Sequence, residues 1–181
     1  MAKLLCLQGL FSVFFVVVTL MRSAVESQPE GECRLLNTCF CQYDNGYRVD
    51  LTPLDGNGTP LFQKIFDGKY FYDVNLCSNF SSQYCNDSTV CQIRDVPDRK
   101  FTFSCSQIDG AYFAQSETGL TYNMIRGKDG RMVRVDLHCN ETDVGSLTAL
   151  GEPTNLTYAF VLTSRYACAH LPPEQSPNEN L

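Results

Sequence analysis

The chain has 181 residues, of which ten are cysteine, two are histidine and none is tryptophan, and its formal charge at pH 7 is −6. This acidic balance argues against nucleic acid as a partner, because binding to phosphates needs a concentrated basic face. The length allows one domain with a core of its own, and two histidines leave few ways to build a histidine-based metal or acid–base site.

The N-terminus resembles a targeting segment. Lys3 precedes a mostly apolar run from Leu4 to Leu20, and small residues such as Ala24 and Ser27 follow before a polar stretch. This pattern predicts a cleaved secretory signal peptide over residues 1–27. An uncleaved signal anchor is the alternative, since the run is near the lower length limit for spanning a bilayer. Cleavage removes Cys6 and leaves nine of the ten cysteines, which we expect mostly in disulfides.

Five Asn-x-Ser/Thr sequons agree with a secretory route. They lie at Asn57, Asn79, Asn86, Asn140 and Asn155. Nothing after residue 27 is apolar enough to span a membrane. We therefore expect a soluble glycoprotein in the lumen of the secretory pathway (endoplasmic reticulum, Golgi or lysosome) or outside the cell.

One continuous segment, residues 33–171, carries the signals of a folded domain. Residues 28–32 and 172–181 are polar and contain proline, which predicts a disordered lead and a disordered tail. Within the domain, apolar residues alternate with polar ones in three stretches, and few windows hold helical spacing. The alternating apolar residues are Tyr47, Val49 and Leu51, then Val133, Val135, Leu137 and Cys139, then Tyr158, Phe160 and Leu162.

A predicted hairpin adds to this strand pattern. The turn residues 127–130 (Gly-Lys-Asp-Gly) separate the apolar stretch 120–125 from 131–139, which is typical of a tight connection between antiparallel strands. The predicted class is all-β, a flattened barrel or sandwich of two antiparallel sheets linked by disulfides.

Six segments of the domain form a recognisable series. They are residues 41–54 (CQYDNGYRVDLTPL), 70–77 (YFYDVNLC), 89–93 (TVCQI), 119–122 (GLTY), 131–139 (RMVRVDLHC) and 158–168 (YAFVLTSRYAC). Together these segments resemble the mannose 6-phosphate receptor homology (MRH) domain. The resemblance covers about 130 residues in the order of that family, so it is stronger than any single motif.

The resemblance implies a sugar site of four side chains that bind a terminal mannose: Gln92, Arg131, Glu152 and Tyr158. Gln92 follows Val90 and Cys91, Arg131 opens a strand that ends in a cysteine eight residues later, and Tyr158 lies ten residues before Cys168. Glu152 lies six residues before the tyrosine. Guanidinium, amide, carboxylate and phenol groups suit adjacent sugar hydroxyls, which both donate and accept hydrogen bonds.

Each of the four residues also has an ordinary structural reading. Arg131 and Glu152 could form a surface ion pair, which is worth little, and Gln92 alone would be a surface polar residue. Tyr158 shares the parity of two core positions, so taken alone it is a core residue. Arg131 shares the parity of Val133, so it points to the apolar face at a strand end and needs a partner there.

By resemblance, Cys139 pairs with Cys168, and we also expect Cys41–Cys77 and Cys85–Cys91. The cysteines at 33, 39 and 105 stay unassigned, with Cys33–Cys39 and Cys39–Cys105 both open. One thiol is left over, either buried and free or linking two chains into a disulfide-bonded dimer.

The sequence departs from the phosphate-binding members in the loop beside the site. Those members carry a further disulfide where this chain has Arg126 and Leu156. The short turn offers Lys128 as the candidate phosphate contact and no evident dedicated pocket. Mannose recognition is therefore favoured over mannose 6-phosphate. The absence of tryptophan argues against the degradation lectins of the family. If the strand already runs at position 155, the Asn155 side chain has the opposite parity to Tyr158 and points away from the site.

The leading hypothesis is a soluble lectin for terminal mannose on N-glycans, acting in glycoprotein sorting or as an accessory subunit, with mannose-bearing glycoproteins as partners. The alternative is a protein- or lipid-interaction module on the same fold. An enzyme is the third class and is disfavoured: His138 lies on a polar strand face, His170 lies beside the tail, and no metal-ligand or phosphate-cradling motif is present. No cofactor and no metal are expected.

Overall fold

The computed structural model describes residues 29, 31–97, 99–125 and 127–172. The predicted signal peptide, the predicted tail beyond residue 172 and parts of the predicted lead lie outside the described residues. In the described part of the chain, no helix is both long enough and apolar enough to cross a membrane. The predicted all-β class is confirmed.

Twelve strands and three short 3₁₀ turns make up the described domain. The strands are β1 (Arg34–Asn37), β2 (Phe40–Gln42), β3 (Arg48–Asp50), β4 (Phe62–Phe66), β5 (Phe71–Val74), β6 (Val90–Val96), β7 (Arg99–Ser106), β8 (Tyr112–Ser116), β9 (Gly119–Met124), β10 (Met132–Cys139), β11 (Ser146–Thr154) and β12 (Thr157–Ser164). The turns are Thr52–Leu54, Lys128–Gly130 and Arg165–Ala167.

The strands form three sheets rather than the two that were expected. Their orders are β1-β2-β3, β4-β5-β6-β7 and β11-β12-β10-β9-β8. The third, small sheet comes from the N-terminal strands, and Arg48 of β3 also forms an antiparallel bridge with His170. The two larger sheets face each other across one core, where the ring of Tyr72 on β5 meets that of Phe160 on β12 edge to face at 5.3 Å.

One strand pair in the five-stranded sheet is parallel, which the sequence pattern did not predict. β12 forms an antiparallel hairpin with β11 and inserts between β11 and β10, so it runs in the same direction as β10. In this register Val133 lies opposite Tyr158. The predicted hairpin is present, since β9 pairs antiparallel with β10. The parity of β10 is also as predicted, with Val133, Val135 and Leu137 buried.

Four disulfides hold the sheets and their loops together. Cys139–Cys168 and Cys85–Cys91 have the expected partners. The expected Cys41–Cys77 pair is wrong: Cys41 bonds to Cys33, and Cys77 bonds to Cys39. The reason is the β1–β2 hairpin, whose register sets Leu35 against Cys41 and brings Cys33 to that strand. Cys39, in the turn of the hairpin, is then the cysteine that reaches Cys77.

The remaining thiol of the described residues is Cys105, which is wholly buried on β7. A thiol without accessible surface does not reach a second chain while the domain is folded. A disulfide-linked dimer through Cys105 is therefore inconsistent with this fold.

Candidate functional site

A close approach between two segments sets the position of Arg131. The β9–β10 connection lies directly against β7, where a Cβ on Gly127 would be 2.1 Å from the carbonyl oxygen of Cys105. Only glycine fits there. The Gly127 amide donates to the carbonyl of Arg131 at 3.0 Å and closes the loop. Arg131 therefore enters β10 beside β7 and the four-stranded sheet.

The Arg131 side chain is mostly buried and makes several contacts. Its Nε donates to the phenolic oxygen of Tyr158 at 3.3 Å, and its Nη1 donates to Asp129 Oδ2 at 2.9 Å. The guanidinium carbon lies 5.1 Å from the centre of the Phe103 ring, in the range of a cation–π contact. The partner that the parity argument required is thus Tyr158 together with Asp129, not Glu152.

Tyr158 and Gln92 meet around a third residue, Tyr72. The rings of Tyr72 and Tyr158 lie 6.3 Å apart, and Gln92 Nε2 donates to the Tyr72 hydroxyl at 3.0 Å. The same hydroxyl donates to Asp67 Oδ2 at 2.7 Å. Gln92 and Tyr158 are only 4% and 2% exposed. They therefore form the floor beneath Arg131 rather than an open surface.

The Tyr158 hydroxyl stays neutral in this environment. Burial raises its pKa above the ordinary value, while the hydrogen bond from Arg131 acts in the opposite direction and offsets part of the effect. A neutral phenol that accepts one hydrogen bond keeps a proton to donate. The hydroxyl therefore remains the acceptor that holds the guanidinium in place.

Glu152 lies on the exposed side of the same region. Its Oε1 accepts a hydrogen bond from the Leu156 amide at 2.6 Å, in the β11–β12 turn. The Glu152 charge adds to the effect of burial, the largest cause, in raising the pKa values of Tyr158 and Cys105. The contacts of the described residues join Gln92, Tyr158 and Arg131 around Tyr72, whereas Glu152 is bonded within its own turn.

Cys105 is wholly buried on β7, the strand against which the Arg131 loop lies. Burial raises the pKa of its thiol to about 12, and the charges of Arg131 and Glu152 together with the Tyr158 hydroxyl act on it in smaller measure. The Cys105 backbone occupies the irregular point of the β6–β7 pairing, where the register shifts between Val90 and Cys91. The thiol is therefore a neutral packing element under the site.

A cleft of about 260 Å³ opens above Arg131. That volume is below the range of pockets for drug-sized ligands and suits a single sugar ring. Guanidinium, carboxylate, amide and hydroxyl groups line it together with two aromatic rings. The lining residues are Tyr84, Cys85, Asn86, Thr102, Phe103, Ser104, Asp129 and Arg131.

Of the four predicted residues, only Arg131 lines this cleft. The sequence reasoning missed Asp129, Phe103 and Ser104, which come from the turn before β10 and from β7. The alternation of Phe101, Phe103 and Cys105 with polar residues is a strand signal that could have predicted β7. The side chain of Lys128, the candidate phosphate contact, lies outside the described part of the structure, and only its backbone in the turn is described.

A larger cleft of about 410 Å³ lies at the other end of the β10–β12 pair, and none of the four predicted sugar-site residues is in its lining. Arg48, Arg165 and His170 contribute its basic groups, and Asp50 and Glu141 its acidic ones. Near this cleft, Cys139, Glu141 and Cys168 have ligand atoms within 4.8 Å of one another. The two sulfur atoms are joined in a disulfide, so no thiolate is available there to hold a metal ion.

The sequon asparagines differ in their surroundings. Asn57, Asn86, Asn140 and Asn155 are exposed. Asn79 is half-buried, and its amide donates to Asp87 at 2.8 Å and accepts from the Ile108 amide at 2.8 Å. Asn155 lies in the turn between β11 and β12, not in a strand. The condition of the parity argument for Asn155 is therefore not met.

The sequence matches no protein-family model and no curated protein. Among solved structures, the chain is similar to chicken IGF2R domain 11, with a TM-score of 0.54 and 18% identity over 78% of this chain and 95% of that chain. The chain has an MRH-like fold. A weaker likeness, with a TM-score of 0.37 and 15% identity, is to the solution structure of the MRH domain of Yos9 complexed with alpha3,alpha6-Man5, over 56% of this chain and 72% of that chain.

The pairing of strands and sheets determines where three of the predicted residues lie. Arg131 and Tyr158 stand where two adjacent parallel strands begin, and Gln92 reaches them from the facing sheet. The bonds from Gln92 to Tyr72 and from Arg131 to Tyr158 join distant parts of the chain and need the whole fold, whereas the Asp129–Arg131 and Glu152–Leu156 contacts are local in sequence.

Proposed function

We propose that this chain is a lectin that binds the terminal mannose of N-glycans through Gln92, Arg131, Glu152 and Tyr158. It would act as a soluble module in glycoprotein sorting or as an accessory subunit, with mannose-bearing glycoproteins as its partners. The observation that carries the proposal is the position of Arg131, which is bonded to Tyr158 beneath and lines a sugar-sized cleft above.

The chemistry of the cleft suits a sugar ring. Arg131 donates charged hydrogen bonds to hydroxyl oxygens, and the carboxylate of Asp129, which lines the same cleft, accepts from hydroxyl groups. We propose that Glu152, outside the lining, accepts from a hydroxyl group at the edge of the ligand. The exposed edge of Phe103, which is 37% exposed, offers an apolar surface to the C–H groups of the ring. Beneath the cleft, Tyr158 accepts a hydrogen bond from Arg131, and Gln92 donates one to Tyr72.

The charge of the cleft favours neutral mannose over mannose 6-phosphate. Asp129 pairs with Arg131 at 2.9 Å, and the Asp129 side chain is 80% exposed at the cleft. Its carboxylate already neutralises the guanidinium and would repel a phosphate group. We therefore assign terminal, unphosphorylated mannose as the ligand.

The proposed compartment is the lumen of the secretory pathway or the cell exterior. Four disulfides in one domain are typical of an oxidising environment. Mannose-terminated N-glycans are carried by glycoproteins of the same compartment, so receptor and ligand would meet there.

A glycan array with wild-type protein and Arg131→Ala tests the proposal. Arg134→Ala is the matched control, since Arg134 lies in β10, points to the polar face and pairs with Asp136 at 3.1 Å. When all three proteins are produced without N-glycosylation, we expect wild type and Arg134→Ala to bind mannose-terminated glycans and Arg131→Ala to lose this signal. Equal signals for the two variants, or no wild-type signal above background, would contradict a mannose site at Arg131.

A second candidate function is a protein-interaction module without sugar binding. The observation that favours it is the internal bonding of the Gln92 amide and the Tyr158 hydroxyl. Under this function, capture of a partner protein would be unaffected by free mannose and by Arg131→Ala. Competition by mannose would exclude it.

A further inference from the structure

We propose that Asn86 carries an N-glycan whose first sugar lies in the Arg131 cleft, so that glycosylation of Asn86 decides whether the site is open. This inference concerns the regulation of the proposed sugar site. Only its predicted effect on mannose binding rests on the proposed function. The steric part of the inference, cover of Arg131 by an attached glycan, does not depend on what the cleft binds.

The position of Asn86 carries the inference. Asn86 is exposed and lines the same cleft of about 260 Å³ as Arg131, Asp129 and Phe103. The residues Asn86-Asp87-Ser88 form an acceptor sequon. An N-acetylglucosamine attached to this side chain would begin at the cleft, because Asn86 is one of the residues that line it.

The loop around Asn86 is held in place on both sides. Cys85 is bonded to Cys91 on β6. Asp87 accepts hydrogen bonds from Asn79 Nδ2 at 2.8 Å and Gln107 Nε2 at 2.9 Å. The backbone from which an attached sugar extends is therefore anchored at the cleft that Arg131 lines.

The Asn86 side chain is also chemically available. In the part of the chain that the structure describes, its amide makes no hydrogen bond, whereas the Asn79 amide is engaged on both atoms. Attachment forms a bond between Nδ2 and the anomeric carbon of N-acetylglucosamine and breaks the bond from that carbon to the diphosphate of a lipid-linked oligosaccharide donor. The diphosphate leaves and one amide proton is released.

The size of the cleft makes the attached sugar and a bound ligand mutually exclusive. A volume that suits one ring does not hold two, and aromatic rings of Tyr84 and Phe103 line the space that the attached ring would fill. Molecules with an occupied Asn86 should therefore not bind mannose, and molecules with a free Asn86 should.

Arginine-selective labelling tests the steric cover directly. The protein is made in glycosylating cells as wild type, Asn86→Gln and Asn140→Gln. Asn140 is the matched control, because this exposed sequon follows the far end of β10 from Arg131. Phenylglyoxal labelling of Arg131, normalised to Arg134 in the same molecule, and the glycan occupancy of Asn86 are read by peptide mass spectrometry.

We expect Arg131 to label several-fold faster in Asn86→Gln than in wild type, and Asn140→Gln to match wild type. Wild type trimmed to a single N-acetylglucosamine by an endoglycosidase should keep its protection, since the first sugar is the cover. An unoccupied Asn86, equal labelling of Arg131 in the three proteins, or exposure of Arg131 on trimming would overturn the inference.

Calorimetric titration with mannose separates this inference from the proposed function. The fraction of molecules that bind should equal the fraction with unoccupied Asn86, and should approach one in Asn86→Gln. If Asn86→Gln labels faster but binds no mannose, the cover stands and the proposed function fails. If wild type with occupied Asn86 binds mannose as fully as Asn86→Gln, the cover is wrong and the function stands.

Discussion

Arg131 Nε donates to the Tyr158 hydroxyl across 3.3 Å at the point where two parallel strands, β10 and β12, begin side by side. The register that sets Val133 opposite Tyr158 determines this contact. A shift of one residue in β12 would turn Tyr158 to the other face of the sheet and remove its hydroxyl from the guanidinium. The proposed binding site therefore depends directly on the register of β10 and β12.

Replacing Tyr158 by phenylalanine should weaken mannose binding without unfolding the domain. The change removes the acceptor of a charged hydrogen bond, worth about 1.5–3 kcal/mol, so the dissociation constant should rise about tenfold to a hundredfold. Tyr166→Phe is the matched control, because the Tyr166 hydroxyl accepts from Arg165 at 3.2 Å at the opposite end of the fold. Isothermal titration measures both variants, and equal affinities would contradict a role for the Tyr158 hydroxyl.

Asp129→Asn should shift the ligand preference toward mannose 6-phosphate. Removing one negative charge near the ligand relieves a repulsion of about 1 kcal/mol, so the affinity for mannose 6-phosphate relative to mannose should rise about fivefold. The gain should shrink at high salt because an exposed charge is screened. Asp44→Asn, which breaks the exposed pair with Arg34, is the control for the change in net charge. An unchanged ratio of affinities at low salt would contradict the electrostatic argument.

Cys105 should be unreactive in the folded protein. Burial raises the pKa of its thiol to about 12, so it remains protonated and inaccessible at neutral pH. We expect a thiol reagent to label no cysteine of the native mature domain. In denaturant without reductant, where the disulfides stay intact, it should label one cysteine, Cys105. If the native protein were labelled as fast as the unfolded protein, or if it formed a disulfide-linked dimer through Cys105, the thiol would be exposed.

The raised Cys105 pKa also predicts a dependence of stability on pH. The folded value lies above the ordinary value of 9.0, so the unfolded chain loses this proton first as the pH rises. The contribution to the free energy of unfolding is fully present below about pH 9 and falls by up to about 1.4 kcal/mol per pH unit between pH 9 and 12. Urea unfolding gives the free energy of unfolding of wild type and Cys105→Ala at pH 7.5 and at pH 10. The decrease between the two pH values should be larger for wild type than for Cys105→Ala. An equal decrease in the two proteins would mean that the thiol titrates normally.

The two N-terminal disulfides should differ in their contribution to stability. Cys39–Cys77 joins residues 38 apart, whereas Cys33–Cys41 joins residues 8 apart. In the chain-entropy model these closures stabilise by about 4 and about 2.5 kcal/mol. Double serine variants of each pair, compared by urea unfolding, should follow that order. Peptide mapping of the wild type under non-reducing conditions should show these pairs, and a Cys41–Cys77 peptide would contradict the fold of the first sheet.

The sequence predicted the parts of the site that depend on strand parity. The alternation around Val133 and Tyr158 set Arg131 and Tyr158 on the inner face, because side chains of a strand alternate between two faces. The same reasoning could not predict that Gln92 reaches them through Tyr72, since this contact joins two different sheets. It also missed Asp129 as the carboxylate partner of Arg131, a choice made by the tight turn before β10.

The disulfides also include one pairing that the sequence predicted and one that only the fold determined. Cys139–Cys168 follows from the resemblance of two strands that end in cysteine, but Cys39–Cys77 depends on a hairpin that brings Cys33 to Cys41 first. Spacing along the chain does not specify which of several cysteines is nearest in space. The pairing was decided by the register of β1 and β2.

The amino-acid sequence by itself determined the all-β class, the inner and outer faces of β10 and β12, and the residue types available for a sugar site, because these depend on composition and on a two-residue period. The tertiary structure alone decided which strands pair, that β10 and β12 run parallel, and that Asn86 shares a cleft with Arg131. These features depend on contacts between residues far apart in the chain, and only packing of the whole core selects among them.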